Sequence, residues 1–244
     1  MSIQIRSAAV WFDHPGERIC PFQNLDFTVE AGEWVMITGQ NGSGKTTLLR
    51  VIAGTQVLQG GTVSVWGIDP VRMTPSQRAK LVFFVSQNPL AGTAADLTTF
   101  ENLFLAEDCP RGARKALLMR YARLLEPFGL DHALNQQLAL LSGGQRQILA
   151  LIAASLRPAR LILLDEPFAA LDSERTTLAL QAVHSLWQNG KTVIQVTHDL
   201  ELTREHGSRK VTLAGGQLVY DVVLKRGERV EADSNDATHP RVAP

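Results

Sequence analysis

The sequence predicts an α/β fold in which helices enclose a largely parallel β-sheet. Three short and mostly apolar runs carry this prediction: Val82–Val85, Leu161–Leu164 and Thr192–Val196. Strands that are apolar on both faces belong to the buried parallel sheets of α/β proteins. The 244 residues, 45% hydrophobic and 20% charged, fit one globular domain with a subdomain.

Each further element is predicted from its own local pattern. The apolar run Trp34–Thr38 ends at a glycine and is followed by a helical pattern over Thr46–Ala53. Runs near both termini are typical of antiparallel strands, and the turn Ala214–Gly216 joins the last two. These runs are Ile3–Phe12, Leu25–Val29, Val211–Leu213 and Leu218–Tyr220.

The domain organisation is predicted from where the strand signals stop. Only helical signals occur between the runs that contain Phe84 and Leu161, so we expect a helical subdomain over about residues 88–158. The main domain is expected to span residues 1–221. Residues 222–244 are polar and are expected to form a mobile tail.

Composition excludes several classes of protein. Lys+Arg and Asp+Glu both number 24, so the net charge gives no case for a nucleic-acid partner. Cys20 and Cys109 are far apart, which predicts two reduced thiols and neither a disulfide framework nor a zinc site. No run reaches the roughly 18 apolar residues of a membrane span, and the N-terminus has no secretory signal pattern. We therefore expect no membrane-spanning segment in this chain.

The segment Gly39–Thr46 matches the phosphate-binding pattern G-x-x-x-x-G-K-[ST] between a predicted strand and a predicted helix. Its glycines let successive backbone N–H groups point at phosphate oxygens, and the helix dipole adds positive potential. Lys45 is expected to bind the β- and γ-phosphates, and the Thr46 hydroxyl is a hard oxygen ligand for Mg²⁺. The residues expected to bind the nucleotide here are Gly39, Gln40, Asn41, Gly42, Ser43, Gly44, Lys45, Thr46 and Thr47.

Two carboxylates, Asp165 and Glu166, follow the buried run Leu161–Leu164. Ligands of open α/β sheets sit beyond the carboxyl ends of the strands, beside a phosphate loop. Asp165 is therefore expected to hold Mg²⁺, and Glu166 to deprotonate the water that attacks the γ-phosphate. The alternative for the pair alone is a strand end and turn at Pro167.

The segment Leu141–Gln145 reads Leu-Ser-Gly-Gly-Gln and begins 96 residues after Lys45. A Ser-Gly-Gly turn at the start of a helix is a second phosphate-binding device. One chain thus carries two phosphate cradles but one lysine-bearing loop. This predicts a head-to-tail homodimer or heterodimer, with each ATP between the loop of one subunit and Ser142, Gly143, Gly144 and Gln145 of the other.

Through these motifs, the sequence resembles the nucleotide-binding subunit of an ATP-binding cassette (ABC) transporter over about residues 3–221. The resemblance implies a P-loop NTPase core with a mixed or parallel sheet, an N-terminal antiparallel β-subdomain and an inserted helical subdomain. It also implies an ATPase that uses ATP and Mg²⁺.

Three further residues match motifs of that family. Gln87 matches the glutamine loop, which implies contact with Mg²⁺ and the attacking water and a link to the helical subdomain. Asp172, in Ala170–Asp172, matches the loop that contacts the opposite protomer. His198 matches the switch histidine that contacts the γ-phosphate.

One position departs from the family pattern. The family stacks adenine on a tyrosine about 25 residues before the phosphate loop, and in this chain His14 stands there. An imidazole stacks on adenine with less area than a phenol ring. His14 is the preferred residue, while Phe12 or Trp11 takes this role if the register slips.

A shorter resemblance concerns the type of transporter. The stretches Gln87–Ala94 and Leu97–Leu103 are similar to cassettes of a bacterial amino-acid-type (tryptophan/tyrosine-like) uptake group. This implies a periplasmic substrate-binding protein in the complex. The family resemblance itself implies integral membrane subunits and a peripheral position at the cytoplasmic face of the inner membrane. The complete set of motifs in one chain makes a homodimer the default over a heterodimer. The alternatives are a soluble cassette ATPase that serves iron–sulfur-type assembly, or an exporter subunit. The transported substrate is not predictable, since its contacts lie in other chains.

Overall fold

The computed structural model describes residues 1–88, 93–107, 114–169 and 171–224. Several positions of interest lie outside these ranges: Cys109, Ala170, residues 89–92 of the first resemblance stretch, and the tail from residue 225. Within them, the chain has the predicted α/β fold, with an antiparallel β-sheet, a mixed sheet and helices between the strands.

The described residues form nine strands in two sheets. The strands are β1 (Ile3–His14), β2 (Glu17–Val29), β3 (Trp34–Thr38), β4 (Gly60–Val65), β5 (Val82–Val85), β6 (Leu161–Asp165), β7 (Thr192–Val196), β8 (Arg209–Ala214) and β9 (Gln217–Val223). One sheet has the order β2-β1-β4 and is antiparallel, and the other has the order β5-β6-β7-β3-β8-β9. In the second sheet all neighbours are parallel except β8 and β9.

The helices follow the strands as expected for crossover connections. They are α1 (Lys45–Ile52), α2 (Pro75–Leu81), α3 (Thr99–Glu107), α4 (Arg114–Leu125), α5 (Gly143–Leu156), α6 (Ser173–Gln188) and α7 (Leu200–Glu205). Between β5 and β6 the described residues hold α3, α4, α5 and three 3-10 turns, and no strand. No helix within the described ranges is long and apolar enough to cross a membrane.

The six-stranded sheet has a hydrophobic core on each face. Along β3, Trp34 and Met36 pack with the helices α3 to α6, whereas Val35 and Ile37 pack with α1 and the antiparallel sheet. This alternation is the two-residue period of a strand, and both faces are apolar because both are covered. The arrangement fixes the carboxyl ends of β3, β6 and β7 at one edge, where the candidate site lies.

Two sequence expectations are extended by the structure. The run Val211–Leu213 was expected to be antiparallel to the last run, and β8 does pair antiparallel with β9, but on its other side β8 pairs in parallel with β3, which was not expected. The run gives no sign of this because the parallel partner lies far away in sequence. Three strands near the termini are also longer than expected: β1 extends to His14, β2 begins at Glu17, and the last strand, β9, reaches Val223.

Candidate functional site

The phosphate loop joins the buried strand β3 to α1. Gly39, Gly42 and Gly44 all have positive φ angles, of 146°, 79° and 96°, so the loop curls as L-residues rarely allow. Gly44 is the N-cap of α1, and its side-chain position faces Pro21 and Phe22 of β2. The loop is therefore held between the two sheets, with the N-terminus of α1 directed at it.

Lys45 is buried, with 5% of its surface exposed. Its Nζ donates to the carbonyl oxygens of Gly39 and Gln40, each at 2.8 Å. Burial lowers the pKa of the Lys45 ammonium, and the nearby carboxylates Glu166 and Asp165 act in the opposite direction. A buried ammonium with this weak compensation favours an anionic ligand such as a phosphate.

The structure brings Thr46 and Asp165 together across 119 residues, with the Thr46 hydroxyl donating to Asp165 Oδ1 at 3.1 Å. Burial raises the pKa of Asp165, and repulsion from Glu166 adds to this, while the hydrogen bond from Thr46 lowers it. A hydroxyl beside a poorly compensated carboxylate is a donor set of hard oxygens that suits Mg²⁺.

The remaining Mg²⁺ ligands must come from elsewhere. Within the described residues, no three His, Cys, Asp or Glu side chains cluster to hold a metal ion. Mg²⁺ in proteins is usually held by one or two carboxylates together with substrate phosphates and water. The geometry therefore fits a magnesium ion that binds together with a nucleotide.

Glu166 and His198 meet at the ends of β6 and β7. The Nε2 atom of His198 lies 2.6 Å from Oε1 of Glu166. Glu166 has a φ of 50°, the left-handed region, and its backbone N–H donates to the carbonyl of Val196. Strain of this kind persists only where neighbouring structure holds it, and it often marks a functional site.

Gln87 follows β5 at the same sheet edge and is exposed. It lines a cleft of 270 Å³ together with Gly143 of α5 and Glu166. The structure thus places the predicted glutamine-loop residue, the start of the signature helix and the predicted base around one cavity.

The signature segment begins α5. Ser142 is the N-cap: its hydroxyl accepts from the backbone N–H of Gln145, and the Gln145 side chain accepts from the N–H of Ser142. Ser142 and Gly143 are exposed. Among the described residues, no hydrogen bond or ion pair joins this segment to the phosphate loop, so within one chain the two predicted phosphate cradles do not form one site.

Asp172 is the N-cap of α6 and is exposed. Its carboxylate accepts from the backbone N–H of Arg175 at 2.8 Å and from the Arg175 side chain at 3.0 Å. Gly144 lies against this region, since an added Cβ would come within 2.8 Å of Arg175 and 3.1 Å of Leu171. The signature helix therefore packs against the segment that carries Asp172.

The candidates for adenine stacking lie along β1. Phe12 pairs with Ile19 and is partly buried in the same core as Val10 and Phe22. Trp11 occupies the alternate position of the strand and lies beside Arg18, whose guanidinium is 5.5 Å from the ring centroid. His14 is the last residue of β1, and its side chain lies outside what the structure describes. Phe22 lies next to Gly44, and Phe12 packs against the same core cluster as Phe22.

One residue of the cleft was missed by the sequence reasoning. Gln147 is buried on the face of α5 that also carries Gly144, three residues earlier. The available signal was a polar residue at an apolar position of the helical repeat.

A phosphate loop on α1, a hydroxyl–carboxylate pair for Mg²⁺ and a carboxylate–histidine pair at one sheet edge define a P-loop nucleotide hydrolase. A protein-family model described as ABC transporter matches residues 22–169. The chain belongs to this ABC transporter family, and it is a magnesium-dependent ATPase that uses ATP and is coupled to transport.

Three relatives illustrate the range of the family. The tyrosine transport ATP-binding protein of Clostridioides difficile (strain R20291) is 33% identical over 240 residues, which cover 95% of this chain and 96% of that protein. The thiamine import ATP-binding protein ThiQ of Escherichia coli (strain K12) is 32% identical, over 80% of this chain and 83% of ThiQ. The macrolide export ATP-binding/permease protein MacB of Aggregatibacter actinomycetemcomitans is 29% identical; the match covers 90% of this chain but 34% of MacB.

A solved structure agrees with the fold. It is the dimeric post-hydrolysis state of the ATP-binding cassette MJ0796 bound to ADP and Pi, with a TM-score of 0.76 and 29% identity. The similarity covers 91% of this chain and 99% of that one. The chain is therefore the ATP-binding cassette of a transporter.

Proposed function

We propose that this chain is the ATP-hydrolysing subunit of a bacterial solute importer and works as a head-to-tail homodimer. The main observation in favour of the dimer is that the two phosphate-binding segments do not form one site within a single chain. Among the described residues, no hydrogen bond or ion pair joins the phosphate loop to the exposed signature around Ser142, although both segments are suited to bind phosphate. A second copy supplies the missing half of each site, in line with the dimer described for MJ0796.

The residues divide the reaction between them. Lys45 and the loop N–H groups bind and orient the phosphates of ATP, with Ser142 to Gln145 of the other subunit on the opposite side. Thr46, Asp165 and Gln87 hold Mg²⁺, which supplies charge neutralisation at the phosphates when bound. Glu166 accepts a proton from the attacking water, and His198, already 2.6 Å from one oxygen of its carboxylate, holds that oxygen and reaches the γ-phosphate.

Closure and reopening of the dimer are the proposed movements that couple ATP hydrolysis to transport. ATP bridges two subunits, so its binding free energy favours the closed dimer, and the coupling is reciprocal. Hydrolysis removes the bridge and lets the dimer open. Gln87 and Asp172 lie beside the signature helix or its packing partner, and each movement passes through the helical subdomain to a separate membrane subunit.

Phe12 is the proposed adenine platform in place of His14. Its ring packs against the same core as Phe22, which lies next to Gly44 of the phosphate loop, whereas Trp11 lies beside Arg18. A phenyl ring also offers more stacking area than an imidazole.

The direction and type of transport rest on the relatives. The tyrosine transport protein aligns along almost the whole of both chains, and ThiQ is an importer subunit by name. This supports uptake of an amino-acid-type solute, with integral membrane subunits and a periplasmic binding protein, at the cytoplasmic face of the membrane. MacB is an export protein by name, and the match to this chain covers about a third of it.

The first test traps the dimer. Glu166→Gln keeps the shape of the side chain and removes the base, so ATP should bind without being hydrolysed and hold two subunits together. Size-exclusion chromatography with light scattering should show a dimer with ATP and Mg²⁺ and a monomer without nucleotide. Lys45→Ala is the matched control and should stay monomeric. A monomeric Glu166→Gln variant under saturating ATP and Mg²⁺ contradicts the head-to-tail site.

A second experiment separates transport from other uses of an ABC ATPase. The tagged chain is purified from detergent-solubilised membranes of its host, and its companions are identified by mass spectrometry. A polytopic membrane protein in stoichiometric amount supports the transporter subunit, and a periplasmic binding protein with it supports import. Recovery with a soluble assembly partner alone favours the iron–sulfur-type alternative.

A further inference from the structure

The cleft beside Glu166 contains a feature that the proposed mechanism does not use. Its volume is 270 Å³, and its walls include Gln87, Gly143, Gln147, Glu166 and Ala169. One wall is the first turn of α5 and the other is the segment that follows β6. The cleft therefore lies between the signature helix and the residue proposed as the base.

Gln147 is the most deeply buried of the polar side chains that line this cleft. Arg146 also lines it, but is only half-buried, and its guanidinium donates to the backbone carbonyls of Ala139 and Leu141. Gln147 is 6% exposed, and its Nε2 atom has no hydrogen-bond partner among the described residues. A buried amide without a partner is unfavourable, and an apolar side chain of similar shape would remove that cost. The position thus lowers the stability of the free chain, which suggests that the amide acquires a partner in another state.

Gln147 lies on the face of α5 that borders the cleft. Gly144 lies three residues earlier on the same helix face and packs against Leu171 and Arg175. That face is therefore directed at the chain segment between Glu166 and α6. Any shift of the signature helix moves Gln147 relative to that segment.

Glu166 offers the strongest acceptor in the cleft. Its Oε1 atom is engaged by His198, whereas its second carboxylate oxygen has no hydrogen bond among the described residues. Its backbone is held at a φ of 50°. A carboxylate fixed at one oxygen can still rotate, and a second donor would fix its orientation.

We propose that Gln147 is a positioning residue: its side-chain amide donates to the second carboxylate oxygen of Glu166 when the ATP-bound dimer closes, and so orients that carboxylate toward the attacking water. This inference rests on the proposed role of Glu166. It connects the signature helix, which contacts the nucleotide of the partner's site, to the base of its own site.

The test compares two substitutions that keep the shape of Gln147. Gln147→Met removes the hydrogen-bonding groups, and Gln147→Glu replaces the donor by a second carboxylate facing Glu166. ATPase kinetics of the full chain with Mg²⁺ should show about a tenfold lower kcat in both, the loss expected for one hydrogen bond to a charged group. The KM for ATP should stay within about twofold, since the phosphate contacts are intact.

Thermal unfolding without nucleotide separates a positioning role of Gln147 from a purely structural role, because the two roles predict different changes in Tm. Gln147→Met should keep or raise the Tm, because it removes a buried unpaired amide. Thr99→Val is the matched control, since Thr99 is fully buried and its hydroxyl also has no partner among the described residues. It should raise the Tm without changing kcat.

The outcomes are distinct. A Gln147→Met variant with wild-type kcat and a raised Tm behaves like Thr99→Val and overturns the inference. A lower Tm together with a lower kcat in both Gln147 variants shows a packing role and also overturns it. Glu166→Gln is measured in parallel: if it keeps wild-type turnover, the base assignment fails and this inference fails with it. If Glu166→Gln is inactive while Gln147→Met is unaffected, the proposed function stands and only the positioning role is lost.

Discussion

Two glycines of the phosphate loop should respond very differently to the same substitution. At Gly39, an added Cβ would lie 2.1 Å from the backbone oxygen of Leu213 and 2.9 Å from Oγ of Ser43. At Gly42, it would meet nothing within 4 Å. Both residues have positive φ angles, so the comparison separates a steric clash from backbone strain alone.

The size of each effect follows from these contacts. Gly42→Ala introduces only an unfavourable backbone conformation, which costs about 1–2 kcal/mol. Gly39→Ala adds a clash in which Cβ and the Leu213 oxygen must separate by about 0.9 Å to reach the 3.0 Å limit of real contacts. The Leu213 carbonyl belongs to β8, which is paired on both sides, so it is not free to move. Together, strain and overpacking give a loss of about 3–5 kcal/mol.

Thermal and urea unfolding of the nucleotide-free chain measure this difference, since bound ATP would add its own stabilisation. For a domain of this size, about 1 kcal/mol lowers the Tm by roughly 2–4 °C. Gly42→Ala should therefore lose a few degrees, and Gly39→Ala about three times as much. Equal losses for the two variants would refute the packing of the loop against β8.

Two further predictions concern the metal ligand and the adenine platform. Burial raises the pKa of Asp165 above its unfolded value, so its contribution to stability is present at acid pH and is lost as the pH rises through the folded-state pKa. Asp165→Asn should accordingly stabilise the chain in EDTA at neutral pH and flatten the pH dependence of its Tm. The variant should also lose the stabilisation that the wild-type chain gains from ATP with Mg²⁺. A variant that is less stable than wild type in EDTA would contradict this prediction. Phe12→Leu keeps an apolar side chain and removes the ring, so the Kd for ATP measured by titration calorimetry should rise about fivefold to tenfold. Trp11→Leu is its control and should leave the Kd unchanged, and a larger effect at His14→Ala would restore the original assignment.

The sequence alone determined the local elements of the site. The bounds of β3, β5 and β7 agree with the apolar runs, because a strand buried on both faces leaves a continuous apolar signal. The phosphate loop was also recognisable, since its glycines and Lys45 act through neighbouring backbone and are contiguous in the chain. The Ser142 capping box lies within four residues and is local in the same way.

The tertiary structure decided every relation between distant residues. It brought Thr46 to Asp165, placed His198 against Glu166, and made β8 a parallel neighbour of β3. It also turned Gln147 into a buried amide without a partner and assigned Trp11 and Phe12 to alternate positions of β1. These relations depend on strand order and on which face of an element is covered, and residues far apart in the chain carry no periodic signal that reports them. The sequence therefore determines the local motifs of this protein, whereas the packing of its sheets determines how those motifs come together into one site.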